Sequence, residues 1–168
     1  MTRLFAALWP PPEILQRLAQ LDRPAIEGLR WTTEDQWHVT LQFLGETSES
    51  QMADAMRTAR WGRPLRMTLG PTVALLSSEI VCLPAAAPGL GSLARRVGEV
   101  TGILRTNRFN GHLTLARARN KVPRAVLEGL KNTDFQATWT ADTVALVRSR
   151  LEPGGARYET VEEFGLSR

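Results

Sequence analysis

Two short segments of this 168-residue chain carry the same pattern, His38-Val39-Thr40-Leu41 and His112-Leu113-Thr114-Leu115, 74 positions apart, and they hold its only two histidines. The chain has 16 Thr and 23 Leu. Thr at +2 and Leu at +3 would follow both histidines by chance about 2 times in 10,000, so the repeat is a signal rather than composition. A β-strand makes the spacing meaningful, because residues i and i+2 share a face. His38 and Thr40 then project together while Val39 and Leu41 face a core, and His112 and Thr114 do the same against Leu113 and Leu115. If two such strands pack about a pseudo-twofold axis, the two pairs can face one another across a groove. The spacing fixes the face within each strand, and that packing of the two is what would bring the pairs opposite one another.

The remaining periodicity agrees. Leu4 to Leu8 reads as a short buried strand. A helix starts near Pro12, with Ile14, Leu15, Leu18 and Leu21 on one stripe, and ends by Asp22-Arg23-Pro24. Trp37 to Leu44 is a strand closed by Gly45. Ser48 and Gln51 fit a capping box before a helix with Met52, Met56 and Ala59 inside. Leu65 to Leu69 alternates as a strand, and Val73 to Leu76 and Ile80 to Leu83 form two more around a turn at Ser77-Ser78-Glu79. A third helix begins near Gly89 and carries Leu90, Leu93, Ala94, Val97 and Leu104. His112 to Ala116 is a strand, Pro123 to Leu130 a short helix. Thr143 to Leu151 and Arg157 to Phe164 flank Pro153-Gly154-Gly155, a hairpin signal. Strands outnumber helices and do not alternate strictly with them. The expected class is α+β, with mainly antiparallel sheets around a central cleft and helices on the outer faces. The length suits one compact domain, residues 1–168, or two small lobes sharing a core.

Composition narrows the function classes. At 43% apolar and 23% charged residues the chain is neither disordered nor fibrous. No apolar run reaches the roughly 18 residues of a membrane span. The run Leu4-Phe5-Ala6-Ala7-Leu8-Trp9 is halted by Pro10, Pro11 and Pro12 and reads as a strand, not a leader. The single cysteine, Cys82, forms no internal bridge and fits a reducing, cytoplasmic setting. The net charge is +4, and 19 of the 21 basic residues are arginine. That bias is compatible with phosphate ligands but has a plain explanation in GC-rich coding. Gly89-Leu90-Gly91 is too little for a dinucleotide fingerprint.

Two imidazoles with ordinary pKa near 6.5 offer a general acid and a general base near neutral pH. Two threonine hydroxyls can hold the non-bridging oxygens of a phosphate. The set suits in-line displacement at phosphorus, with no metal and no cofactor. The bland alternative is a pair of strand histidines bonded to backbone carbonyls.

These residues resemble the two-histidine (2H) phosphoesterase superfamily, and more narrowly the RNA 2′,3′-cyclic phosphodiesterases, the 2′-5′ RNA ligase-like proteins. Arg3-Leu4-Phe5-Ala6-Ala7 resembles that family's opening strand and Pro11-Pro12-Glu13-Ile14 its first helix. Trp37 to Glu46 is similar to the first motif block and His112 to Arg117 to the second. Arg148 to Leu151 with Gly155 to Tyr158 resembles the closing hairpin. The resemblance implies a bilobal fold, a single domain over residues 1–168 of two interleaved lobes with one motif each, and hydrolysis of 2′,3′-cyclic phosphate RNA ends to 2′-phosphomonoesters. It implies His38 as proton donor, His112 as proton acceptor, and Thr40 and Thr114 as phosphate ligands. The implied partner is RNA with a cyclic phosphate terminus, tRNA fragments among the candidates, acted on by a monomer. Ligation is expected only as a weak reverse reaction. One departure is Gly111, where relatives usually have proline, which loosens the approach to His112. Alternatives are a hydrolase of small cyclic phosphates (cyclic nucleotides or ADP-ribose cyclic phosphate) and a non-catalytic RNA-end binding module.

Further candidates carry two readings each. Arg117, five residues after His112, is a phosphate or ribose contact or a surface charge, and regular strand parity points it away from His112. Phe43, five after His38, is a substrate-binding candidate for base stacking, with core packing as its default. Trp31 and Trp37 flank the first motif, and core packing is the default for Trp37. Arg148, Arg150 and Arg157 cluster on the predicted hairpin, as groove lining or as solvated strand arginines.

Overall fold

Leu4 to Leu8 is buried along its whole length, which only a strand covered on both faces allows. The computed structural model describes residues 1–168. In chain order the elements are β1 (Thr2–Leu8), α1 (Pro12–Ala19), β2 (Leu29–Trp31), β3 (Val39–Thr47), α2 (Glu49–Arg57), β4 (Leu65–Leu69), β5 (Ala74–Ser77) and β6 (Ile80–Ala86). There follow α3 (Leu90–Thr101), β7 (His112–Ala118), α4 (Arg124–Lys131), β8 (Ala137–Ala141), β9 (Thr143–Glu152) and β10 (Gly155–Gly165). A single 3-10 turn, Glu34–Gln36, precedes the first motif. No helix is long and apolar enough to cross a membrane.

Every strand pairing is antiparallel, so the α+β expectation holds. The strand order is β10-β9-β1-β3-β7-β6-β4-β8, with β2 added to β7 and β5 to β6. The two motif strands, β3 and β7, are thus neighbours at the centre, and three further strands flank each in matching order. Their direct pairing is Val39 against Leu113. Continuing that antiparallel register sets His38 across from Thr114 and Thr40 across from His112.

One face of this curled sheet is the main core. Leu4, Ala6 and Leu8 of β1 enter it with Ile14 and Leu18 of α1, Met52 and Met56 of α2, and Leu90, Leu93 and Val97 of α3. Each helix presents its apolar stripe there, which is why the 3.6-residue spacing was readable. The opposite face holds a smaller apolar cluster of Phe5, Ala7, Ala145 and Val147, with Trp9 and Tyr158 against it. That cluster is the floor of the cleft.

Several boundaries differ from expectation. Helix α3 stops at Thr101 because Gly102 adopts φ 72° and turns the chain. Leu104 is consequently 69% exposed instead of lying on the inner stripe. Strand β3 begins at Val39, since Trp37 still closes the 3-10 turn, and it runs through Gly45 to Thr47. At Ser48 only the forward half of the capping box forms, with Gln51 N–H donating to Ser48 Oγ. A reciprocal box occurs instead at Thr33 and Gln36. The sequence reading missed β2, which is three residues long, and β8, a five-residue alternation Ala137-Thr138-Trp139-Thr140-Ala141 paired along its length with β4.

Candidate active site

A cavity of about 330 Å³ lies over the β3–β7 seam and is lined by His38, Thr40, Phe43, His112, Thr114 and Arg117 together. Six of the residues singled out in the sequence therefore meet in one place. Arg3, Phe5, Arg30, Gln36, Ser149 and Tyr158 complete much of the wall. No carboxylate is among the lining residues, and nowhere in the fold do three His, Cys, Asp or Glu side chains gather as a metal site would need.

Both imidazoles are oriented in the same way. His38 Nδ1 donates to the Gln36 carbonyl at 2.7 Å, and His112 Nδ1 donates to the Asn110 carbonyl at 2.8 Å. A carbonyl can only accept, so each Nδ1 carries the hydrogen and each Nε2 is the nitrogen available for proton transfer. The bond reaches back two residues in both halves. His38 Nε2 also lies 2.9 Å from Thr40 Oγ1. In neutral His38 that nitrogen accepts from the hydroxyl, whereas His112 Nε2 has no partner within the protein.

The two rings differ in surroundings. His38 is walled by Phe5, Trp9 and Tyr158, with ring centroids at 4.8, 5.5 and 5.2 Å. Burial among these rings lowers the His38 pKa to about 4, against the raising effect of the Gln36 carbonyl, and the charges of His112 and Arg117 lower it further. His38 and His112 are thus close enough to influence each other's charge. Burial raises the Tyr158 pKa, and Arg117 and Arg30 oppose that rise.

Arg117 reaches the cleft despite its count from His112. In β7, Val81 pairs with Ala116 and Cys82 with Thr114, leaving Leu115 as an extra residue. Leu115 and Ala116 are both buried in succession, and the parity flips. Strand β3 repeats the device. Ala6 pairs with Gln42 and Ala7 with Thr40, Leu41 is the extra residue, and Leu41 and Gln42 are buried in succession. Phe43 is thereby turned to the cleft and is 63% exposed, which corrects the core-packing default. Each bulged carbonyl has its own donor: Arg105 Nη2 on Leu41 O, and Thr32 N and Oγ1 on Leu115 O.

The model of the 2′-5′ RNA ligase superfamily matches residues 10–152. The chain belongs to this superfamily, the two-histidine phosphoesterases. An RNA 2′,3′-cyclic phosphodiesterase of Thermus thermophilus is 32% identical, with 98% of this chain and 90% of that protein covered. A solved structure of a Thermus thermophilus protein superposes with a TM-score of 0.77 at 31% identity, covering 98% of this chain and 97% of the other. Escherichia coli LigT complexed with phosphate superposes with a TM-score of 0.75 at 25% identity, covering 99% and 98%.

Of the two readings of the hairpin arginines, groove lining fails: they are not among the residues lining the cavity. Arg148 pairs with Glu49 and Glu159, Arg150 with Glu159 and Arg157 with Glu152. The cations of the cleft are Arg3, Arg30 and Arg117, none of which forms an ion pair. Arg30 and Tyr158 went unrecognised because β2 is too short for a period and a lone tyrosine carries no pattern. Gly111, in turn, does not loosen the approach to His112. A Cβ there would run into the Ala85 carbonyl oxygen, and Ala85 N donates to Gly111 O at 3.0 Å. The glycine lets β6 and the segment before β7 close together. Trp37 is fully buried, its Nε1 donating to Thr32 Oγ1, and so is structural. Cys82 is buried across from Thr114, and burial raises its pKa to about 11, leaving a protonated thiol.

Proposed function

We propose that this protein hydrolyses 2′,3′-cyclic phosphate ends of RNA to 2′-phosphomonoesters, with His38 as proton donor and His112 as proton acceptor. The observation that carries the reading is the pairing of two tautomer-fixed imidazoles with two hydroxyls in one cationic cavity. Thr40 and Thr114 donate to the non-bridging phosphate oxygens, and Arg117 with Arg30 balances their charge. A water oxygen attacks phosphorus in line with the 3′ oxygen and gives its proton to His112 Nε2. The P–O3′ bond breaks, and the 3′ oxygen takes the proton of His38 Nε2. The products are a 2′-phosphate and a 3′-hydroxyl, and solvent returns the protons.

Burial disfavours the charged form of His38, so an anionic phosphate in the cleft has to raise its pKa before it acts as the acid. Protonation also reverses the contact to Thr40: the ring nitrogen donates, the hydroxyl accepts, and its hydrogen is released to the phosphate. The exposed ring of Phe43 offers a stacking surface for the base. In this reading the chain is a cytoplasmic monomer, one domain whose two lobes each donate a motif.

The deciding experiment is turnover of a 2′,3′-cyclic phosphate oligonucleotide in EDTA, with the phosphate isomer identified. We expect undiminished turnover and only the 2′ isomer. A 3′-phosphate product would reverse the bond assignment, and binding without turnover would leave an RNA-end binding module.

A further inference from the structure

We propose that the cleft continues beyond Arg117 into a track for the phosphodiester backbone of a single-stranded RNA, formed by Arg30, Arg117, Arg119 and Lys121. The proposal rests on the reading above for the position of the reacting end. It adds that the preferred substrate is an oligonucleotide gripped through its upstream phosphates, not a mononucleotide.

The first observation is a conflict left standing in the sheet. Arg30 of β2 and Arg117 of β7 are direct cross-strand partners. Like charges directly opposite destabilise a strand pair. Neither has a carboxylate partner, whereas Arg57, Arg95, Arg96, Arg124, Arg148, Arg150 and Arg157 all meet one. An anion between the two guanidinium groups removes the repulsion. Arg30 is also held in place: its Nη1 lies where a Cβ on Gly155 would sit, so the β9–β10 turn needs glycine to admit it.

The second observation is continuity. A neighbouring concavity shares Arg30 and Arg117 with the active-site cavity and extends it to Gly28 and Arg119. The next shares Gly28 and Arg119 and reaches Lys121. Its single carboxylate, Glu27, forms no ion pair. The backbone under the track is fixed, with Arg119 N donating to Gly28 O and Ala118 N to Glu79 O, both at 2.8 Å. The one other cation of the cavity, Arg3, is the cross-strand partner of Ser149 and has no cationic neighbour in the lining beyond it. A cyclic phosphate is the 3′ terminus of its strand, so a single chain has to leave the pocket, and the cationic side is the path that accommodates it.

The test compares a 2′,3′-cyclic mononucleotide with a single-stranded hexanucleotide ending in the same group, over a range of salt. The hexanucleotide should be preferred in kcat/KM, with a steeper salt dependence of about 0.7 in log–log slope per phosphate engaged. In Arg119→Gln/Lys121→Gln that preference should fall about tenfold and the slope should flatten by about 1 to 2. Arg124→Gln, whose ion pair lies elsewhere, should leave the preference unchanged. Binding of the 2′-phosphorylated hexanucleotide, followed by fluorescence anisotropy, should weaken about tenfold in the same double variant. An unaltered preference and affinity in the double variant would overturn the track and leave the phosphodiesterase reading intact. Failure to turn over either substrate would overturn that reading, while anisotropy would still decide the track. Equal affinity for a duplex of the same sequence would overturn the single-strand assignment.

Discussion

His38 sits on an apolar floor between three aromatic rings, and two consequences follow. The first is catalytic. On the proposed acid–base scheme, replacing His38 or His112 by alanine should lower kcat roughly 10²–10⁴-fold for each. Steady-state kinetics on variants of native circular dichroism checks this, and a near-normal rate in either would remove the acid–base scheme. The second concerns stability. With its pKa lowered from 6.5 to about 4, folded His38 binds a proton later than the unfolded chain does. The protein therefore loses stability as pH falls from about 6.5 to 4, by about 3 kcal/mol at most from this group. Urea denaturation across that range should show a shallower loss in His38→Gln than in the wild type. Gly111 yields a third expectation, because its Cβ-free approach to Ala85 leaves no space. Gly111→Ala should destabilise by about 1–3 kcal/mol, measured as a lowered urea midpoint. The histidines and threonines were legible in the sequence since two-residue spacing alone aligns them. The packing demand at Gly111 was not, because it is set by a strand distant along the chain.

Strands β3 and β7 show how a local irregularity makes a site. A regular strand would send Phe43 and Arg117 into the core or away from their histidines. The extra residues Leu41 in β3, which carries a second at Leu44, and Leu115 in β7 bring them back to the cleft. The exposed carbonyls this creates are satisfied from outside, by Arg105 and by Thr32. Arg105 is thereby a positioning residue for Phe43. Arg105→Met should raise KM for a base-bearing cyclic phosphate about tenfold, with kcat within about twofold, and Arg105→Lys should recover part of the loss. A fall in kcat at unchanged KM would break the link to Phe43. Helices α1, α2 and α3 were visible in sequence through their apolar stripes, and the β9–β10 hairpin through Pro153-Gly154. The bulges were not, since the pattern of β7 reads as unbroken alternation until its partner β6 is known.

The strand order joins the halves at their motifs, and the main core of 37 residues draws on elements from both sides of the seam. A core shared in this way predicts one cooperative transition. Urea curves followed by tryptophan fluorescence and by far-ultraviolet circular dichroism should superimpose, and separated midpoints would mean that the halves unfold independently. Charge is also arranged at this level: hairpin arginines are neutralised by neighbouring glutamates, while those of the cleft are left free. The sequence by itself determined the α+β class, the equivalence of the two motif strands and the four residues that bear hydroxyl or imidazole toward the cleft, because these depend on spacing within one strand. Only the tertiary structure decided which arginines are free, that Phe43 and Arg117 face the cleft, and that Phe5, Trp9 and Tyr158 desolvate His38. Those properties belong to contacts between segments remote in the chain, where period and composition carry no information.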